Sequence, residues 1–172
     1  MTENEQAFLD LPLEKSEIHS TLLTNDANLH MCSKKRETSV KIEYRLPTFS
    51  EYKKLRGSVG WWETDKNATD TALKNSLFSV VAVEHDTLIG FGRVIGDGGL
   101  YFYIQDLIVH PEFQKKGFGK SLMKELMGYI TANAKPGAFV GLMAAKGLER
   151  YYEPFGFKAR DKDAPGMYQI IK

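Results

Sequence analysis

The residues Gln114-Lys115-Lys116-Gly117-Phe118-Gly119-Lys120-Ser121 lie between a strand-like run, Tyr103 to Val109, and a helix-like run, Ser121 to Ile130. Strand, glycine loop, helix is an arrangement that turns backbone N–H groups toward a pyrophosphate. Glycine lets the chain approach the anion with no Cβ in the way. The helix N-terminus adds unsatisfied donors and a favourable dipole. The loop is neither a Walker loop nor the dinucleotide fingerprint G-x-G-x-x-G. Upstream, Asp106 is a lone carboxylate in an apolar strand. Burial there would raise its pKa toward that of a general base. A bulge whose backbone it accepts from would explain it equally well.

The elements that must position these groups can be read from pattern. Val40 to Arg45 alternates as a strand. Leu46-Pro47-Thr48 ends it, and Thr48 or Ser50 can cap a short helix ending near Gly57. Thr69 to Asn75 is a second short helix. Leu77 to Glu84 and Leu88 to Ile95 form a hairpin turned at His85-Asp86-Thr87. Leu100 to Val109 is apolar on both faces, as a central strand requires. Leu122, Met123, Leu126, Met127 and Ile130 recur at helical spacing, and Pro136-Gly137 ends that helix. Ala138 to Ala144 is a strand, Gly147 to Tyr152 a short helix closed by Pro154, and Phe155 to Lys158 and Met167 to Ile171 are final strands. The order is βααβββαβαββ, an α/β class with a mixed sheet and helices on both faces.

Composition narrows the class. At 172 residues, with 42% hydrophobic and 26% charged residues, the chain suits one globular domain. A formal net charge of +1 gives no global field for nucleic acid or a membrane. No apolar run approaches a membrane span. Cys32 is the single cysteine, so a reducing, cytoplasmic location is expected. Residues 1–38 are acidic and then basic, with no clean period, and read as a flexible or loosely docked extension. Residues 39–172 form the regular domain.

Two segments carry a family resemblance. Tyr103-Ile104-Gln105-Asp106-Leu107-Ile108-Val109-His110-Pro111-Glu112-Phe113 with the glycine loop resembles the acetyl-CoA segment of the GNAT superfamily of N-acetyltransferases, whose loop reads [QR]-x-x-G-x-[GA]. Leu148-Glu149-Arg150-Tyr151-Tyr152-Glu153-Pro154-Phe155-Gly156-Phe157 is similar to its later segment, A-x-x-[FY]-Y-x-x-x-G-F. The element order is the family's, and the resemblance spans roughly residues 40–172. Ala145 and Leu148 stand where many relatives carry Asn and Ala, which weakens assignment to the ribosomal-protein branch.

The resemblance implies acetyl-CoA as co-substrate and no metal. Backbone groups of Leu107, Ile108 and Val109 would pair with pantetheine amides as though the co-substrate were an added strand. That requires splayed fourth and fifth strands. Backbone N–H groups of Lys116, Gly117, Phe118, Gly119, Lys120 and Ser121 would hold the pyrophosphate. Gln114 would approach the phosphates or brace the loop, and Lys115, Lys116 and Lys120 would add charge. Tyr152 would act as catalytic acid toward the departing thiolate. Independently of the resemblance, Asp106, as a carboxylate in an apolar strand, is a candidate to take the proton that an ammonium must lose before it attacks, with the structural role at a bulge as the alternative. Tyr151 would be core or cofactor wall.

The acceptor is less legible. Ile104-Gln105-Asp106-Leu107 resembles a segment of glucosamine-6-phosphate acetyltransferases. The run from Gly156 to Met167 resembles bacterial GNATs and plant serotonin-type enzymes. Trp61, Trp62, Phe91, Tyr101 and Tyr103, with Met167, are expected to line one aromatic acceptor pocket, suited to an aryl-alkyl amine or a polyamine. Arg56, Arg93 and Arg160 would have to converge to hold a phosphosugar. The expected activity is direct acetyl transfer to a small-molecule primary amine in a ternary complex. No nucleic-acid or membrane partner is expected, and dimerisation is compatible with the resemblance. The alternatives are a peptide or protein amine as acceptor, and an acyl-CoA-binding module without turnover.

Overall fold

The computed structural model describes residues 40–167 and 169. The expected extension, residues 1–38, and most of the last expected strand lie outside the described residues. Five strands form one sheet in the order β1-β2-β3-β4-β5: β1 (Lys41–Glu43), β2 (Phe78–Glu84), β3 (Thr87–Gly96), β4 (Tyr101–Val109) and β5 (Phe139–Gly141). The first four are antiparallel to their neighbours, and β5 runs parallel to β4. Four α-helices accompany them: α1 (Phe49–Ser58), α2 (Lys66–Lys74), α3 (Phe118–Asn133) and α4 (Glu149–Tyr152).

Local chemistry sets the boundaries. Thr48 and Glu51 form a capping box at the start of α1. Asp65 caps α2 by accepting from the Ala68 N–H. His85 and Asp86 both take positive φ, at 45° and 58°, in the two-residue turn that joins β2 to β3. That is the twist a tight hairpin prefers.

The sheet is covered on both faces, as its alternation demands. Val80, Ala82, Ile89, Val94 and Ile104 pack under Leu122, Met123, Leu126 and Ile130 of α3. Val81, Val83, Phe91 and Ile108 pack under Tyr52, Leu55 and Leu73 of α1 and α2. Gly90 and Gly92 let α3 come close: a Cβ there would lie 2.9 Å from Leu122 and 2.8 Å from Leu126.

Two features of the sheet position the site. First, β4 and β5 pair only from Tyr101 to Tyr103, opposite Phe139 to Gly141. Beyond Tyr103 they part, so the expected splay is present. Second, the β3–β4 register shifts between Phe91 and Arg93, where Asp106 takes a φ of +56°. This is a bulge, and it re-aims a side chain that regular pairing would point elsewhere.

Two expectations are corrected. Strand β5 ends at Gly141 rather than Ala144, because nothing among the described residues pairs with its outer side. Phe155 to Lys158 is not a strand: Pro154 sits in a 3-10 turn, Glu153–Phe155, and Gly156 leaves it in the left-handed region at φ +86°. Met167, the first residue of the other expected final strand, is 90% exposed.

Candidate active site

The glycine loop links β4 to α3 through one 3-10 turn, Pro111–Phe113. Gly117 occupies the N-cap at φ +92°, which a side chain rarely tolerates. Ser121 N–H is the first of α3 to donate within the helix, to the Gly117 carbonyl at 3.0 Å. Phe118, Gly119 and Lys120 therefore precede any helical acceptor, and their N–H groups are unspent. Ser121 was expected among the loop donors; its N–H is taken, and its Oγ lies 3.4 Å from the same carbonyl. Gln114 braces the loop by donating Nε2–H to the Val109 carbonyl at 3.0 Å. Lys116 Nζ lies 5.0 Å from the centre of the Phe113 ring. The donor set left over suits a pyrophosphate, an acceptor-only group.

Tyr151 and Gly119 meet where the loop enters α3. A Cβ on Gly119 would lie 3.0 Å from the Tyr151 hydroxyl. That hydroxyl is buried with no hydrogen-bond partner among the described residues. Burial, followed by the nearby Tyr152, pushes its pKa up to about 12, so it is a donor throughout the physiological range. Sequence reasoning gave Tyr151 no polar task. Its nearness to the loop comes from the fold of α4 onto α3.

Tyr152 packs edge-on against Tyr151 at 4.9 Å and beside Phe157 at 6.2 Å. Burial raises its pKa, which keeps the phenol protonated. It lines a cavity of about 710 Å³ together with Tyr103, Met127, β5 and Glu149. Tyr103 is the last β4 residue paired to β5, so the cavity reaches the point where the strands part. Glu149 was not singled out in the sequence. The signal was its spacing: three residues before Tyr152 on the same helix, hence on one face.

Asp106 is 3% exposed and engaged on both oxygens. Oδ2 accepts from Arg93 Nε at 2.8 Å and Tyr52 OH at 2.8 Å. Oδ1 accepts from Arg56 Nη1 and Gln105 Nε2, each at 3.3 Å. Burial, then the charge of Asp106, pushes Tyr52 up to about 12. Asp106 does not stand as a free base: its two oxygens accept from two guanidinium groups, a phenol and an amide. The expectation of backbone acceptance at a bulge is half right. The bulge is there, but the partners are side chains from α1, β3 and β4.

The single aromatic pocket is also corrected. Phe91 is fully buried beneath Tyr52. Tyr101 is exposed and leans on Phe139. Tyr103 faces the Tyr152 cavity. Trp61 and Trp62 border a separate pocket of about 200 Å³ between α1 and the loop that follows it, with Lys53, Lys54 and Glu63. The Arg56 guanidinium lies 5.0 and 5.3 Å from their ring centres. It occupies the position a bound cation would take, which argues against a polyamine there. Arg56 and Arg93 do converge, but on Asp106, while Arg160 bonds the Ala164 carbonyl.

A GNAT acetyltransferase-domain model matches residues 61–165. The chain belongs to the GNAT family of acetyltransferases and is an enzyme of that family, which generally uses acetyl-CoA. It is 34% identical to the uncharacterized N-acetyltransferase ycf52-like of Prochlorococcus marinus over 144 residues, 80% of this chain and 78% of that one. A crystal structure of a probable acetyltransferase from Staphylococcus aureus is 36% identical, with a TM-score of 0.73, covering 77% of this chain and 99% of that one. A more distant relative, 28% identical, is named histone acetyltransferase TAP1 in Glycine max; the match covers 66% of this chain and 53% of that one.

Proposed function

We propose that the chain transfers acetyl from acetyl-CoA to the primary amine of a small molecule, by direct attack within a ternary complex. One observation carries this reading: Tyr152 and Tyr103 share a cavity where β4 and β5 part, and unspent loop donors lie at the far end of β4. The parted strands leave the edge from Leu107 to Val109 free of β5, which suits pantetheine. Val109 contributes less than expected, since its carbonyl already accepts from Gln114. The N–H groups of Phe118, Gly119 and Lys120 hold the pyrophosphate, and Lys115, Lys116 and Lys120 add charge.

The amine nitrogen attacks the thioester carbonyl carbon, and the carbon–sulfur bond breaks. Tyr152 gives its proton to the departing thiolate. Its raised pKa suits that task, because the phenol is protonated when the thiolate forms. Glu149, the carboxylate in the same cavity, takes through water the proton the ammonium loses before attack, and the second nitrogen proton, lost as the amide forms, returns Tyr152 to its phenol. Asp106 is a positioning residue that fixes α1 against the bulge of β4. Cys32 lies outside the described residues, and its being the lone cysteine supports a reducing, cytoplasmic setting.

A second reading, transfer to a peptide or protein amine, is favoured by the relative named as a histone acetyltransferase. The test is thiol release from acetyl-CoA with small amines and with short lysine peptides. Turnover confined to peptides would replace the first reading with the second.

A further inference from the structure

We propose that the pocket between α1 and the loop that follows it binds an oxyanion, a carboxylate or a phosphate, and that the acetyl acceptor is an amine that carries one. The inference about the acceptor rests on the activity proposed above; the inference about the anion does not.

Arg56 is 6% exposed. Its Nη1 donates to Asp106 Oδ1 at 3.3 Å and to Tyr52 OH at 3.2 Å. Among the described residues its Nη2 reaches only the Trp62 carbonyl, at 3.4 Å. Its Nε is buried with no partner among the described residues. Nε and Nη2 form one edge of the planar guanidinium, and that edge is the fork that grips a carboxylate or phosphate through two parallel hydrogen bonds. An unspent buried donor is costly unless something comes to accept from it.

Charge points the same way. Arg56 and Arg93 share the single carboxylate of Asp106, which leaves one positive charge in excess within the buried cluster. Lys53, Lys54 and Glu63 border the same pocket. Lys53 is paired with Glu63 at 3.0 Å, whereas Lys54 has no ion pair among the described residues. An arriving anion would offset the excess, and a second cation would add to it. Trp61 and Trp62 lie against Arg56, so an incoming group must meet the edge of the guanidinium or move a ring. Trp62 is 67% exposed and is the ring free to move.

These are the only two tryptophans of the chain, so their emission reports on this pocket and not on the glycine loop. The experiment titrates the full chain with inorganic phosphate, and separately with acetate, at ionic strength held constant with chloride. A saturable change in tryptophan emission is expected. It should weaken about tenfold in Arg56→Lys, which keeps the charge and loses the fork, and a few-fold in Lys54→Gln, which leaves the Asp106 cluster intact. Response to phosphate alone assigns a phosphate, and response to acetate alone a carboxylate. No saturable change beyond the chloride control overturns the pocket, as does a change that persists undiminished in Lys54→Gln. Matched amines then test the acceptor: glucosamine against glucosamine-6-phosphate, and tryptamine against tryptophan. The anionic member of one pair should show a KM about tenfold lower, an advantage reduced in Lys54→Gln. Equal KM values overturn the acceptor inference. No turnover of any of the four, with the titration intact, would sink the small-molecule reading and leave the anion pocket standing.

Discussion

Arg93 and Asp106 face each other across β3 and β4, Nε to Oδ2 at 2.8 Å, at the bulge where Asp106 takes a left-handed φ. Arg93 also donates Nη1 to the Ala72 carbonyl at 2.8 Å, so this pair joins the bulge to the end of α2. Through Tyr52 and Arg56 the same carboxylate reaches α1. One buried anion therefore fixes both helices of the α1–α2 layer. Asp106→Asn leaves two buried guanidinium groups competing for a neutral amide. The expected cost is about 3–5 kcal/mol, a drop in melting temperature of roughly 10 °C. A variant that kept wild-type stability and lost only kcat would restore Asp106 as the base.

The contact between Gly119 and the Tyr151 hydroxyl gives a separate expectation. Gly119→Ala would press on an oxygen 3.0 Å away and crowd the pyrophosphate loop. Acetyl-CoA affinity, measured by calorimetry, should fall about tenfold with little change in stability. Tyr151→Phe tests whether the orphan hydroxyl serves the co-substrate. Weaker acetyl-CoA binding is expected if it does, and a more stable protein with unchanged binding if it does not.

These residues mark how far the sequence could be read. The succession of elements through α4 is a set of local patterns and stands in the expected order, although α2 begins at Lys66 rather than Thr69 and β5 stops at Gly141. The Asp106 cluster is not local. Its partners lie 13, 50 and 54 residues away in sequence, and no spacing rule joins them. The bulge that aims the carboxylate is hinted at by a lone Asp in an apolar strand, a residue type that tolerates positive φ, but no pattern tells which side chains it meets. Phe91 and Trp61 are alike in apolar character, yet one is core and the other borders a pocket, because only tertiary packing separates them.

Glu51 supplies a pH dependence whose sign can be worked out. Its hydrogen bond from Arg45 is the main cause that holds its pKa below the ordinary 4.5, helped by the Thr48 N–H. A depressed folded-state pKa adds stability above the unfolded value, and that stability is lost as pH falls through the folded one. Glu51→Gln should therefore melt below wild type at neutral pH. The two melting curves should converge once the pH falls below the folded-state pKa. A constant gap across that range would mean that the capping box does not depend on the charge.

Glu149 shares a cavity and a helix face with Tyr152. Glu149→Gln should lower kcat about tenfold near neutral pH, with the loss shrinking at alkaline pH as the free amine loses its own proton. Thermal stability should be unchanged, because the side chain is exposed. A pH-independent loss would point to substrate binding instead.

The central claim is that Tyr152 protonates the departing thiolate. The measurement is kcat of Tyr152→Phe by thiol release at saturating acetyl-CoA, with the dissociation constant for acetyl-CoA measured on the same sample. The kcat should fall about 100-fold or more while the dissociation constant stays within a few-fold. An unchanged kcat would contradict it and leave the cavity without its proposed acid.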